Sequence, residues 1–215
     1  MSMKLRSICS PVLFAGLAVG LAIMPLFGVL DGALASESED SMIQISMPPL
    51  VYTSLVSQCQ TSQVSPFLVM GVIKFESAWK WGAMGDYDVD TKDRFPNDPF
   101  WQPRDDGLFP HSFGLMQIHV DHAGKGYTPS QLLDIQTNLY VGIRYLRSCI
   151  AAFGNDWRKG VSAYNQGVNG VMLRGADYNK AYVDNVLGST YAYYEAAIAI
   201  TEDVGGQWRI YERRN

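Results

Sequence analysis

Apolar residues recur along this chain at helical intervals. After Pro48-Pro49, Val51, Leu55 and Cys59 return every four residues, the spacing of one helix face. Ser65-Pro66 reads as a helix start, with Ser in the N-cap position and Pro at the first helical position. The run Phe67 to Phe75 is apolar nearly all round, which predicts a helix in the middle of a domain, and it delivers Glu76 at its end. Further on, Ile135, Leu139, Ile143, Leu146, Ile150 and Phe153 form the cleanest amphipathic stripe, with Asp134 as N-cap and Gly154 as terminator. A helix is expected from Asp156 to Gln166, closed by Gly167. A last long helix is expected after a cap at Asp177, with Tyr182, Val183, Val186, Leu187, Tyr191, Tyr194 and Ile198 as its stripe.

The remaining stretches are less periodic. Phe113 to Ile118 is a short apolar segment. Residues 82–111 hold seven Asp and four Pro and show no apolar period, so they are expected to form a long loop or irregular insertion, of the kind that often carries function. No stretch shows sustained strand alternation. The pattern predicts a mainly all-α domain over residues 48–200, with a flexible polar lead-in at 36–47 and a short C-terminal tail at 201–215.

The N-terminus has a different character. Lys4 and Arg6 precede an apolar run from about Val12 to Leu30, which ends in Ala33-Leu34-Ala35. This is the tripartite pattern of a secretory signal peptide, with cleavage expected after Ala35. An uncleaved membrane anchor is the alternative. Export to the periplasm or cell exterior is expected from the signal peptide, and contact with a membrane only through this segment if it is uncleaved.

Composition narrows the function. The net charge of −4 comes with no Lys/Arg block, which argues against a nucleic-acid partner. Beyond residue 35 two cysteines remain, Cys59 and Cys149. They are either a disulfide, as export permits, or two thiols buried as small hydrophobes.

Glu76 is the leading candidate for chemistry. A carboxyl held against an apolar helix loses solvation and its pKa rises, which makes a general acid at neutral pH. Two further segments join it: Gly114-Leu115-Met116-Gln117, and Ala163-Tyr164-Asn165-Gln166-Gly167. With Glu76-Ser77 they occur in the order and on the elements seen in the lytic transglycosylase and goose-type lysozyme family, which the chain resembles over about residues 64–195. The segment Thr137 to Leu146 is similar to that family's helix between the last two motifs.

The resemblance implies a lysozyme-like helical domain with a glycan-binding cleft, and peptidoglycan glycan strands as the partner. It implies that Glu76 protonates the oxygen of the β-1,4 bond between N-acetylmuramic acid and N-acetylglucosamine. It implies substrate contacts from Ser77, Gly114, Leu115, Met116, Gln117, Tyr164 and Asn165. The residue types agree: Gln and Asn can donate to and accept from sugar hydroxyls and acetamido groups, and Gly114 would let main chain approach a ligand. Tyr164 is expected to hydrogen-bond near Glu76 or the sugar. No cofactor is expected.

Three readings stay open: a lytic transglycosylase, a hydrolase of the same bond, and a glycan-binding or assembly module attached to unknown cell-envelope machinery. Where goose-type lysozymes usually carry an Asp, two residues past the Gln, this chain has His119. Asp121 and Asp86 are the nearest candidates for a second carboxylate, which hydrolysis by the two-carboxylate route requires. That substitution favours the transglycosylase. Asp86, Asp88 and Asp90 alternate like the start of a calcium loop, but Thr91 stands where Gly is expected and Asn97 where Glu is expected. His111, His119 and His122 match no recognised ligand spacing, so no metal site is predicted from sequence.

Overall fold

The computed structural model describes residues 51–194 in full. It describes backbone elements also at 43–47, 49–50, 195–197, 202–204 and 207–212. The expected signal peptide at 1–35 lies outside the described residues.

Seven α-helices and two small antiparallel sheets make up the described chain. The order is β1 (Ile43–Met47), α1 (Pro49–Ser62), α2 (Pro66–Ser77), β2 (Met84–Asp88), β3 (Phe109–Phe113), β4 (Ile118–His119), α3 (Pro129–Leu133), α4 (Ile135–Ala151), α5 (Trp157–Gln166), α6 (Val168–Arg174), α7 (Lys180–Ala197), β5 (Glu202–Val204) and β6 (Gln207–Glu212). Strand order is β1-β6-β5 in one sheet and β2-β3-β4 in the other. Among the described residues no helix is long and apolar enough to cross a membrane.

The mainly helical class agrees with the periodicity, and side-chain caps form at α3, α4 and α5. The Asp134 carboxylate accepts from Thr137 N at 2.9 Å, and that of Asp156 from Lys159 N at 3.1 Å. Ser65 is the N-cap of α2, yet its side chain makes no cap bond, so Pro66 alone marks that start. Asp177 does not cap the last helix. It lies in a 3₁₀ turn, Ala176–Asn179, and α7 begins after it. The expected stripe of α7 differs as well: Tyr193 is fully buried while Tyr191 and Tyr194 are exposed, and Ile198 lies outside the described residues.

The strands correct the expectation of none. The 36–47 lead-in supplies β1 and the 201–215 tail supplies β5 and β6, with Ile43 opposite Glu212 and Met47 opposite Trp208. Ile43-Gln-Ile-Ser-Met47 does alternate, over five residues only, a window too short to separate from chance. In the 82–111 segment, β2 pairs with β3, Gly85 opposite Ser112. All five residues of β3 are buried, so it carries no alternation to read.

That segment also has a core of its own. Trp101 is fully buried, stacks on Phe109 at 5.1 Å between ring centroids and meets Phe95 edge-on at 5.0 Å. Its indole N–H donates to Thr91 O at 2.9 Å. Asp98, also buried, accepts from Phe100 N at 2.9 Å and from Ser130 N at 2.8 Å. A carboxylate on the first-turn amides of α3 is stabilised by the helix dipole, and it fastens the insertion to the helical body.

The two cysteines are separate buried free thiols. Burial pushes Cys59 up to about 12 and Cys149 up to about 11, so neither is a ready nucleophile.

The centre of the fold is the antiparallel pair α2 and α7. Phe67 meets Tyr194 edge to face at 5.6 Å near one end, and Glu76 meets Tyr182 at the other. Between them a Cβ on Gly71 would lie 2.6 Å from Thr190 Oγ1 and 2.6 Å from Val186 O. The absence of a side chain there lets the two helices approach. Gly71→Ala should therefore destabilise the protein, by about 1–3 kcal/mol of overpacking set against about 1 kcal/mol of helix propensity gained. Urea unfolding checks it, and a neutral or stabilising Ala would show that the pair has slack at this point.

Candidate active site

Glu76 occupies the last turn of α2. The helix stops at once behind it, because Ala78 and Trp79 both take left-handed φ values, 50° and 66°. The turn is fastened from α7, where the Tyr193 hydroxyl accepts from Trp79 Nε1 at 3.1 Å. Glu76 is thus fixed on a rigid helix at the point where the main chain leaves.

Three effects set its acidity. Burial is the largest effect and favours the neutral acid. The Tyr182 hydroxyl donates to Oε1 at 2.6 Å and favours the carboxylate. The negative charge of Asp86 on β2 favours the acid again. Together they raise the group from 4.5 to about 7. The phenol of Tyr182 is itself held well above its ordinary range, by burial first and by Glu76 second, so it stays a donor. Sequence reading placed Tyr182 only on a helix face. Its meeting with Glu76 depends on how α7 crosses α2, which no local pattern encodes.

The remaining motif residues build the wall of the site more than they line it. Ser77 is buried and its hydroxyl donates to Ile73 O at 3.2 Å within the helix. Leu115 and Met116 are buried in the core. Tyr164 is buried too, and its hydroxyl donates to Met116 O at 2.7 Å, not to Glu76. The hydrogen bond to Glu76 thus comes from Tyr182, and Tyr164 holds the Gly114–Gln117 turn through Met116 O.

Gly114 has a similar explanation. Its φ is 76°, and a Cβ there would collide with the Asn138 amide and stand 2.8 Å from Leu132 O. That space is filled by Asn138 of α4. Asn138 is 1% exposed and its amide is satisfied on both sides. Nδ2 donates to Phe113 O at 2.8 Å and Leu132 O at 2.7 Å, and Oδ1 accepts from Met116 N at 2.8 Å. Gln117, half-buried at φ 45°, uses Nε2 to donate to Gly114 O at 2.9 Å and Ala83 O at 3.2 Å. It ties the turn to the start of β2. Of the expected contact residues, Asn165 alone is well exposed. Its Oδ1 accepts from Asn179 Nδ2 at 2.9 Å, and Asn179 also binds Ser162 on α5.

The two candidate second carboxylates part company. Asp86 acts on Glu76 and accepts from Ser112 Oγ at 2.5 Å. Asp121 is tied instead to Arg94 and His111. The alternating Asp86, Asp88 and Asp90 do not converge on a cation: Asp88 accepts from Val89 N at 2.7 Å, and Asp90 pairs with Arg94 at 2.5 Å. A pocket of about 360 Å³ opens beside Asp121, lined also by Arg94, Lys125 and Tyr127. It does not include Glu76.

The position and acidity of Glu76 suit general acid catalysis in a half-enclosed site. The sequence model of the family "Transglycosylase SLT domain" matches residues 56–185. No curated protein matches. Among solved structures, the chain is similar to the 70 kDa soluble lytic transglycosylase of Escherichia coli, at 23% identity and TM-score 0.49 over 69% of this chain and 24% of that one. It is similar to an inactive mutant of the lytic transglycosylase Slt of Pseudomonas aeruginosa, at 17% identity and TM-score 0.50 over 73% and 26%. A complex of the 70 kDa soluble lytic transglycosylase with bulgecin A matches at 22% identity and TM-score 0.49 over 76% and 27%. This chain thus spans about a quarter of the length of those proteins.

Stability should report the acidity of Glu76 without any substrate. The folded protein holds the proton up to about pH 7, while the unfolded chain releases it near 4.5. Stability is therefore retained below 4.5 and lost as pH rises to 7, by about 3 kcal/mol in all. Glu76→Gln should raise Tm at pH 8 and leave it nearly unchanged at pH 4. Equal effects at both pH values would contradict the raised pKa. The neighbours should act with opposite signs: Tyr182→Phe should move the Glu76 titration, followed by carboxyl carbon NMR, to higher pH, and Asp86→Asn should move it lower.

Proposed function

The chain belongs to the Transglycosylase SLT domain family, and from that premise we propose that it is a peptidoglycan lytic transglycosylase with Glu76 as its single acid and base. The observation that carries this reading is the carboxyl of Glu76, raised to about 7 by burial at the end of α2.

The steps follow from that group. Neutral Glu76 donates its proton to the oxygen linking C1 of N-acetylmuramic acid to C4 of N-acetylglucosamine. The C1–O bond breaks, the leaving sugar departs with the proton as its new 4-hydroxyl, and an oxocarbenium-like centre develops at C1. Glu76 is now the carboxylate, stabilised by the Tyr182 hydroxyl. It removes the proton from the muramic acid's own 6-hydroxyl as that oxygen bonds to C1. The ring closes as a 1,6-anhydro end, and Glu76 is again the acid. No water enters the balance. A pKa near the working pH suits a group that must both give and take a proton.

Asp86 contributes negative charge beside this site, which favours the protonated form of Glu76 in the resting state. Asn165 and the outer edge of Gln117 are the side chains from the expected contact set that remain open to a glycan. The buried Ser77, Leu115, Met116 and Tyr164 act by shaping the wall. The apolar run before Ala35 supports export to the periplasm or cell exterior, where peptidoglycan is found.

Mass spectrometry of fragments released from purified sacculi tests the reaction. Products ending in 1,6-anhydro-muramic acid are expected, and Glu76→Gln should lower their release by about 100-fold or more. Products one water heavier would make the protein a hydrolase. Glycan retention without release, by the unsubstituted protein, would make it a binding module. The rate should fall as pH rises through about 7, as the acid form of Glu76 is lost.

A further inference from the structure

A second cluster of chemistry-bearing side chains lies on β3, β4 and the turn after them, apart from Glu76. His111, His119 and Asp121 each offer one ligand atom, and these atoms all lie within 4.8 Å of one another. His111 Nδ1 is 3.2 Å from Asp121 Oδ2, and His119 Nδ1 is 3.8 Å from the same oxygen. A tetrahedral ion with bonds of about 2.0–2.1 Å holds its ligand atoms roughly 3.3 Å apart. The two spacings to Asp121 stand close to that value, and the two imidazoles lie within 4.8 Å of each other, so a modest side-chain adjustment would complete the set.

The hydrogen bonding of His111 points the same way. The residue is buried, and its Nε2 has no hydrogen-bond partner. Asp90 Oδ2 stands 3.7 Å from that nitrogen. A neutral imidazole has one N–H and one lone pair. With the proton on Nδ1, a buried lone pair faces the Asp90 carboxylate. With the proton on Nε2, two lone pairs meet between Nδ1 and Asp121. A cation bound by Nδ1 and by Asp121 Oδ2 removes this conflict, and Nε2–H then faces Asp90, the outer carboxylate that metal-ligating histidines commonly have.

We propose that His111, His119 and Asp121 bind one divalent ion of the zinc class, through two imidazole nitrogens and one carboxylate oxygen. Two nitrogens among three donors select zinc or a neighbouring transition ion over calcium or magnesium, which take oxygen. Arg94 grips the other oxygen of Asp121 and also reaches Oδ2 at 3.3 Å, while pairing with Asp90 at 2.5 Å. It orients the carboxylate, and its positive charge limits affinity. The Asp121 N–H donates to His119 Nδ1 at 3.2 Å, a bond the ion replaces. His122 stacks on His119 at 4.5 Å and restrains that ring. His119 and Asp121 are partly open to solvent, and Asp121 also lines the 360 Å³ pocket, so solvent can supply a fourth ligand.

The ion's role is structural. It joins β3 to β4 and to the turn that follows. Ser112, next to His111, donates to Asp86, so the staple stiffens the strand that holds the carboxylate beside Glu76. The site stands on its own geometry, independent of the proposed reaction.

Untagged, chelator-treated protein titrated with zinc by calorimetry tests this directly, with cobalt(II) as a spectroscopic probe. The expected result is one zinc per chain, visible cobalt bands of a four-coordinate site, and a Tm raised by zinc but not by calcium or magnesium. His119→Ala and Asp121→Asn should each weaken zinc binding by more than about 100-fold, above the 10- to 100-fold typical of an outer partner. Circular dichroism and metal-free Tm establish that the variants fold. Absence of stoichiometric zinc binding by the unsubstituted protein overturns the proposal. Equal binding by both folded variants overturns it as well.

Discussion

The structure depends on how closely α2 and α7 pass each other. Gly71 removes the one side chain that would hold them apart, and Thr190 Oγ1 fills the space while donating to Val186 O at 2.8 Å. With the helices in this register, Tyr182 arrives at Glu76 and Tyr193 at Trp79. A wider separation would move both hydroxyls out of reach together. The carboxyl would then lose the one donor that stabilises its ionised form while staying desolvated by the apolar run before it. Packing in the centre of the domain thus sets the electrostatics at its edge.

A second buried knot gives the opposite wall its shape. Asn138 of α4 makes three hydrogen bonds to main chain of β3, the following turn and α3. A buried amide with every bond made specifies one geometry, and a half-satisfied one costs more than an apolar residue would. Gly114 and Tyr164 serve the same knot, one by leaving room and one by holding Met116 O. Several motif residues expected to contact a ligand also hold main chain in place, as Tyr164 does at Met116 O and Gln117 at Ala83 O and Gly114 O. Residue type alone cannot separate the two roles, because Tyr, Gln and Asn hydrogen-bond main chain and sugars equally well.

Periodicity showed the five longer helices, and not the short α3 and α6, because helical burial is one-sided over several turns, as on α4, where Leu139, Ile143, Leu146 and Ile150 all face the core. It missed β3, buried on both faces, and β1, too short to stand out. It also read residues 82–111 as loop, although Trp101, Phe95 and Phe109 form a compact aromatic kernel there. Those rings are spaced irregularly in sequence and meet only after the chain turns back at Asp98. Glu76 was legible since its apolar context is local. Tyr182, Asn138 and the approach of Asp121 to His111 and His119 were not, since each joins segments that only the tertiary fold brings together.

The balance at Glu76 is the point where these constraints meet function. Burial and the charge of Asp86 both favour the neutral acid, and the Tyr182 hydrogen bond favours the carboxylate. With burial alone the group would be a persistent acid, slow to release its proton and, once ionised in a dry site, poorly stabilised. With the phenol alone it would ionise in the ordinary carboxylate range and could not protonate a leaving oxygen at neutral pH. The opposition places it near 7, where neither proton state is strongly preferred and transfer in each direction is close to thermoneutral. One carboxyl can then serve both halves of an intramolecular transfer, and the second carboxylate that hydrolysis by water requires has no step to perform. On this account Asp86 acts on Glu76 through charge, and its bond from Ser112 fixes the distance at which it does so.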